Sequence, residues 1–265
     1  MRKPIYFYCL LIAYSLPLSA QTPCESLYGV WKYETEGLEG MNILTLGHYI
    51  WVLNEKARPY FHDKPSFQEK AEAFDKMTIS AGTWTCDGNR ATVTQQFAKD
   101  PNEIGTRFSF DFDIIGDKGD YWVINPEGER SPKGVARRVA EWKEESPCSK
   151  LNGVWEYENL KGLYIQSGVY GAWVVADPDQ AQLASDLKTM PGKARAFQAI
   201  EGYYALSDCK GDHRCHWTIL HSSNPAMEKQ ILYTELQVRK NSFSGRYIDT
   251  DRRLVGEEWQ MRRLE

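Results

Sequence analysis

Pro23-Cys24-Glu25-Ser26-Leu27-Tyr28-Gly29-Val30-Trp31-Lys32-Tyr33-Glu34 returns later in the chain as Pro147-Cys148-Ser149-Lys150-Leu151-Asn152-Gly153-Val154-Trp155-Glu156-Tyr157-Glu158. Pro, Cys, Leu, Gly, Val, Trp, Tyr and Glu recur at one spacing, 124 residues, from 24 to 148. That period is too long for a solenoid unit and suits a domain with its own core, so the 265 residues read as a tandem duplication. In the first copy eight strands are expected: Leu27 to Glu34, Met41 to Thr45, His48 to Leu53, Ala81 to Cys86, Ala91 to Phe97, Arg107 to Ile114, Tyr121 to Ile124 and Val135 to Lys143. The sixth alternates Phe108, Phe110, Phe112 and Ile114 with polar residues, the period-two signature of a half-buried strand. Asp87-Gly88 marks a hairpin between two of these strands. One helix interrupts them, with Ser66 and Glu69 as a capping box ahead of the stripe Phe67, Ala71, Phe74 and Met77.

The second copy follows the same order. Leu151 to Glu158, Tyr164 to Gln166 and Gly171 to Val175 open it. A helical stretch from Asp177 carries Leu183 and Leu187, breaks at Pro191-Gly192 and resumes from Lys193 to Ile200. Ala196-Phe197 answers Ala73-Phe74, and Gly202-Tyr203-Tyr204 answers Gly82-Thr83-Trp84. Leu232, Thr234, Leu236 and Val238 take the places of the Phe108 series, and Glu258-Trp259 matches Glu141-Trp142. Short strands joined by nearest-neighbour hairpins, with a single helical insert, specify an all-β chain of two consecutive up-and-down antiparallel β-barrels, each with a short helical insert, over 21–145 and 146–265. A sandwich fits the periodicity nearly as well. The joint at Glu144 to Cys148 is short enough that the two domains should touch.

Residues 1–20 read as a signal peptide: Arg2 and Lys3, an uncharged apolar run from Ile5 to Leu18, then small Ser19-Ala20. The run is too short for a comfortable membrane span, so stable membrane insertion is not expected, and the mature chain is expected to be exported, periplasmic or extracellular. Cys9 leaves with the signal, and an oxidising compartment favours bonds among the five that remain. Cys24 and Cys148 are repeat equivalents, as are Cys86 and Cys209, so Cys24–Cys86 and Cys148–Cys209 are the economical pairs. Cys215 is left over, and a local Cys209–Cys215 bond that leaves Cys148 single is the alternative. Zinc on Cys209, His213, Cys215 and His216 is disfavoured, because adjacent residues of a strand point to opposite faces. No metal and no cofactor are expected. A net charge of −4 with interspersed signs gives no basic footprint for nucleic acid.

Leu27-Tyr28-Gly29-Val30-Trp31 resembles the Gly-x-Trp opening strand of the lipocalin and calycin barrels, and Ala81-Gly82-Thr83-Trp84 through Asp87-Gly88 is similar to small bacterial lipocalin-like domains. The likeness spans nearly all of both repeats through short motifs. It implies an eight-stranded barrel closed at one end by the Trp, here Trp31 and Trp155, under an Arg of the last strand, with a small lipophilic ligand inside. Arg263 supplies that Arg in the second domain; in the first, Arg137 or Arg138 substitutes or the feature is absent.

Inward aromatics are the candidate ligand wall: Tyr49, Trp51, Trp84, Phe108, Phe110 and Phe112 in the first barrel, with Phe74 as a helical lid. Trp173, Phe197, Tyr204, Leu232 and Leu236 are the counterparts in the second. The plainer reading is that the same side chains simply fill a solid core. Asp111 and Asp113, opposite the Phe face, are expected in solvent. No nucleophile elbow, metalloprotease helix or phosphate loop is present, so a binding protein rather than an enzyme is expected, its partner a small hydrophobic ligand; the alternatives are a structural or interaction module with solid barrels, or, as the calycin resemblance allows, an enzyme acting on a hydrophobic substrate with Cys215 the first candidate.

Overall fold

The computed structural model describes residues 23–34, 37–61, 64–125, 127–211, 213–249 and 253–265; the expected signal segment lies outside them. Eight strands, β1 (Gly29–Glu34), β2 (Leu38–Leu44), β3 (His48–Glu55), β4 (Met77–Asp87), β5 (Arg90–Ala98), β6 (Arg107–Ile115), β7 (Lys118–Ile124) and β8 (Gly134–Ala140), pair in sequence order and close where β8 meets β1. The second copy repeats this with β9 (Gly153–Tyr157), β10 (Lys161–Ser167), β11 (Tyr170–Ala176), β12 (Ile200–Lys210), β13 (Arg214–Ser222), β14 (Ile231–Val238), β15 (Ser242–Ile248) and β16 (Leu254–Arg263). Both sheets are antiparallel closed barrels, which removes the sandwich and leaves no free sheet edge. Helices α1 (Phe67–Asp75) and α2 (Met190–Gln198) sit between the third and fourth strand of each barrel. Ser66 and Glu69 do form the capping box on α1. Pro191, by contrast, is the second residue of α2, after the Thr189 cap and Met190, rather than a break in a helix, because its missing N–H falls in the first turn, where none bonds within the helix.

The repeated Gly-x-Trp phrase builds one end of each barrel. A 3-10 turn (Glu25–Leu27, Ser149–Leu151) leads into the strand, and the indole N–H of the following Trp donates back to the carbonyl four residues earlier: Trp31 to Leu27 at 2.8 Å, Trp155 to Leu151 at 2.7 Å. Glycine is required at the entry. Gly29 and Gly153 have φ of +129° and +143°, and a Cβ on either would stand 2.5 Å from a carbonyl oxygen, of Ala140 and Glu265 respectively. A guanidinium then covers each ring: Arg263 lies 4.1 Å from the Trp155 centroid and Arg138 4.8 Å from that of Trp31. The registers agree, since Trp31 pairs with Arg138 and Trp155 with Arg263. Trp142 is therefore not the counterpart of Trp259; it lies beyond β8 and packs into the layer between the barrels.

That layer is the largest apolar cluster of the protein. Met41, Ile43, Ile50, Val52 and Ile79 on the outside of β2, β3 and β4 join Leu163, Ile165, Val174, Ile200 and Tyr204 on the outside of β10, β11 and β12. These strands are buried on both faces, so they read as apolar runs rather than as alternation. The helices belong to the same layer: α1 packs on α2, and Phe61 meets Phe197 edge-on at 5.7 Å. Polar contacts fix the docking. Lys193 reaches Asp75 at 2.7 Å, His48 meets Glu265 at 2.5 Å, and the largely buried Arg58 pairs with Glu228.

Three expected wall residues are consequently misplaced by the sequence reading. Phe74 and Phe197 are not lids, and Tyr204 is not inside; all three are buried in the inter-barrel layer. For Tyr204 the reason is register. Strands β4 and β12 are both 11 residues long and superpose Cys86 on Cys209, which makes Ser80 the partner of Tyr203 and Trp84 the partner of Ser207. Matching Gly202-Tyr203-Tyr204 to Gly82-Thr83-Trp84 slips the alignment by three, an odd number, and an odd slip moves every side chain to the opposite face.

Two stability outcomes follow from these contacts. Replacing Arg263 with Ala removes a cation–π contact and two hydrogen bonds to the Asn152 and Lys150 carbonyls, and is expected to cost about 2–3 kcal/mol in chemical denaturation. Phe197→Ala is expected to cost about 3–5 kcal/mol and, in calorimetry, to split one cooperative transition into two.

Candidate functional site

Among the described residues, the free spaces found inside the two barrels are far smaller than a ligand. In the first, the free space beside Trp31, Tyr33, Phe110 and Phe112 is about 20 Å³, and in the second that beside Tyr164, Phe243 and Trp259 is again about 20 Å³. Room of that size takes about one water. Aromatic packing accounts for it. Trp51 lies 5.6 Å from Phe108 and 5.7 Å from Phe110, while Tyr33 meets Tyr121 edge-on at 5.2 Å. Tyr49, Trp51, Trp84, Phe108, Phe110 and Phe112 are thus brought together inside the first barrel, as the interior of a packed cylinder. Trp173, Leu232 and Leu236 gather likewise in the second.

The ring positions differ between copies in an instructive way. Opposite one another on β7 and β8 stand Tyr121 and Gly134, and a Cβ on Gly134 would fall 2.1 Å from the Tyr121 ring. On the matching β15 and β16 the order is reversed, Gly245 opposite Trp259, with a Cβ on Gly245 2.3 Å from the indole. Each barrel lays one large ring across one glycine, but from opposite strands.

The second barrel opens at the end remote from Trp155 into a cleft of about 560 Å³. Its floor is aromatic: Trp173 and Tyr203 are stacked at 5.2 Å, with Tyr157, Tyr247 and Trp259 beside them. Leu160, Val175, Met227 and Leu232 line the sides, and Glu201, Glu257 and Glu258 stand among them. Burial, with the Glu201 charge as the next cause, pushes the Tyr203 phenol up, and the same two causes in the same order raise Tyr247. Both phenols stay protonated at physiological pH. Sequence reading found Trp173 and Leu232 of this cleft and missed Tyr203, Tyr247, Trp259 and Glu201. The spacing from Cys86 to Cys209 carried the register that puts Glu201 and Tyr203 on the inner face.

A second surface recess, about 520 Å³, lies on the outside of the first barrel around Asp111. Asp111 is buried rather than solvent-facing, a correction with a clear cause. Arg90 holds it at 2.7 Å and Arg130 at 2.6 Å, and Arg130 in turn lies 5.0 Å from the Trp122 ring. The Arg90 hydrogen bond foremost keeps its carboxyl below the usual range, against its burial. The charges here satisfy one another.

The cysteines meet at two places. Cys24 and Cys86 are bonded, with Cα atoms 5.8 Å apart. In the second barrel the sulfurs of Cys148, Cys209 and Cys215, all buried, converge within 4.8 Å, and Cys209 stands within bonding reach of both others. One sulfur makes one disulfide. The Cα separation is 5.2 Å for Cys148–Cys209 and 4.1 Å for Cys209–Cys215, the latter shorter than the roughly 4.4–6.8 Å that disulfides usually span. Cys148–Cys209 is also the bond that matches Cys24–Cys86. Cys215 occupies the place that Ala91 fills opposite Cys86 in the first copy. His216, beside Cys215 on β13, is turned to Asp208, at 3.3 Å. Non-reducing peptide mapping is expected to recover Cys148 joined to Cys209, with Cys215 alkylated only after unfolding. In Cys215→Ala the same cross-link should persist.

No family model matches the chain, and no curated protein matches it. Among solved structures, the chain is similar to the uncharacterized protein YLR301w from Saccharomyces cerevisiae, at 12% identity and a TM-score of 0.48, covering 90% of this chain and 98% of that one. It is also similar to a protein of unknown function from Nostoc punctiforme in the DUF3598 family, at 8% identity and a TM-score of 0.22, covering 93% and 100%. Two consecutive eight-stranded antiparallel barrels fit a tandem calycin-like fold.

Proposed function

We propose that this chain is an exported, tandem lipocalin-like binding protein that takes one small amphipathic ligand at the mouth of the second barrel and has no catalytic role. The observation that carries this reading is the contrast in free volume. Interiors of about 20 Å³ leave no place for a ligand, whereas a 560 Å³ cleft floored by five aromatic rings lies in the range of small-molecule sites, roughly 300–1,000 Å³. The ligand is held at the rim instead of deep inside, which departs from what the lipocalin resemblance implies. The first barrel then serves as a solid support that buries the outer faces of β10, β11 and β12.

Export is supported by a basic start, an apolar run and small residues in 1–20, together with a disulfide in each barrel. The binding reading is favoured over an enzyme by the chemistry of the cleft: its titratable groups are carboxylates and phenols raised by burial, and its described lining residues include no His, Cys, Ser, Thr or Lys.

Tryptophan fluorescence tests the binding reading directly, since Trp173 and Trp259 line the cleft. Twelve-carbon amphiphiles with cationic, neutral and anionic heads are titrated below their critical micelle concentrations. At least one head class is expected to quench saturably in the wild type, about tenfold more weakly in Tyr203→Ala, and unchanged in Trp51→Phe of the first barrel. No saturable quenching with any of the three overturns the proposal.

A further inference from the structure

The chemistry of the same cleft selects one ligand class, an inference that rests on the binding reading above. Three carboxylates, Glu201, Glu257 and Glu258, line it, and among its described lining residues there is no Lys, Arg or His. Arg246 offsets part of this from outside, 3.5 Å from Glu258, so Glu201 and Glu257 carry the remaining charge. Glu201 is the best placed. It accepts the Tyr203 hydroxyl, it sits two residues before Tyr203 on the inner face of β12, and its charge contributes to holding up the phenols of Tyr203 and Tyr247.

Aromatic faces carry negative charge at their centres and attract a cation that has shed its water. Here Trp173, Tyr203, Tyr247 and Trp259 supply several such faces in one cleft, beside carboxylates. An anionic headgroup in the same place would face both the ring quadrupoles and the glutamates.

From this we infer that the mouth of the second barrel binds amphipathic organic cations, an ammonium group on an apolar body. The ammonium lies against the rings beside Glu201, and the apolar body runs along Leu160, Val175, Met227 and Leu232. Fatty acids and other anionic lipids are disfavoured by the same groups. Attraction to the carboxylates weakens with added salt, while the contact with the rings persists.

Lauroylcholine, dodecanol and laurate, which share chain length and differ in charge, separate this inference from the broader one. Tryptophan quenching at low ionic strength is expected to give lauroylcholine at least about tenfold tighter binding than dodecanol, with laurate weakest. Glu201→Gln, which still accepts the Tyr203 hydroxyl, is expected to reduce the lauroylcholine affinity several-fold and leave dodecanol unchanged. Glu257→Gln provides a second variant on a residue outside the Tyr203 contact, expected to shift in the same direction. Dodecanol or laurate binding as tightly as lauroylcholine overturns the cation inference and leaves the amphipath reading standing. Saturable quenching by none of the three overturns both.

Discussion

A charged guanidinium stacked on a buried indole holds each barrel shut, and the rest of the structure is arranged around that contact. The Trp can lie flat under the Arg only because its N–H is already satisfied by the 3-10 turn just before it. The strand can turn in so sharply only because the residue two positions earlier is glycine. The Arg in its turn is anchored by carbonyls of the opening segment: Ser26 for Arg138, Lys150 and Asn152 for Arg263. One device therefore joins the first strand to the last, which is the step that turns a curved meander into a cylinder. With that end sealed in both copies, only the far end of a barrel is free to vary.

Duplication then let the two far ends diverge. In the first barrel Tyr33 and Tyr121 meet over Gly134 and the interior is filled. In the second, moving the large ring from β15 to β16 and placing Tyr203 where the first copy has Ser80 lines a broad opening with rings. The outer faces diverged less. Both copies spend much of the outside of three strands and one helix on each other, while the far ends of β4 (Thr85, Asp87) and β12 (Leu206, Asp208, Lys210) remain in solvent. The division between a solid partner and an open partner is consistent with that docking: a filled barrel is a firm base against which the open one keeps its shape.

Much of the architecture was legible in the chain. All eight strands of the first copy, the capping box of α1, the contact between domains and the Cys24–Cys86 and Cys148–Cys209 pairs follow from repetition and period-two patterning. The pattern did less well where it was read across a gap. Between β11 and β12 the second copy carries a 3-10 segment (Gln180–Asp186) with no counterpart among the described residues of the first, and the matching of β12 slipped there. Since side chains alternate, a slip of three residues exchanged Tyr203 for Tyr204 and lost Glu201 from view. Asp111 looked exposed for a related reason: alternation tells which face a residue takes, but not that Arg90 and Arg130 cover that face.

The sequence by itself determined the duplication, the succession of short antiparallel strands and the Cys24–Cys86 staple, because these depend on spacing and on local backbone preferences that a linear string records; closure into barrels rather than a sandwich, and Cys148–Cys209 rather than Cys209–Cys215, needed the structure. Only the tertiary structure decided which aromatic rings fill space and which border it. That difference rests on how surfaces from separate elements meet: a ring opposite a glycine on the neighbouring strand, or a helix laid against the other barrel instead of over its own. Phe74 and Phe197 have the same apolar character in either role, and packing alone assigns it.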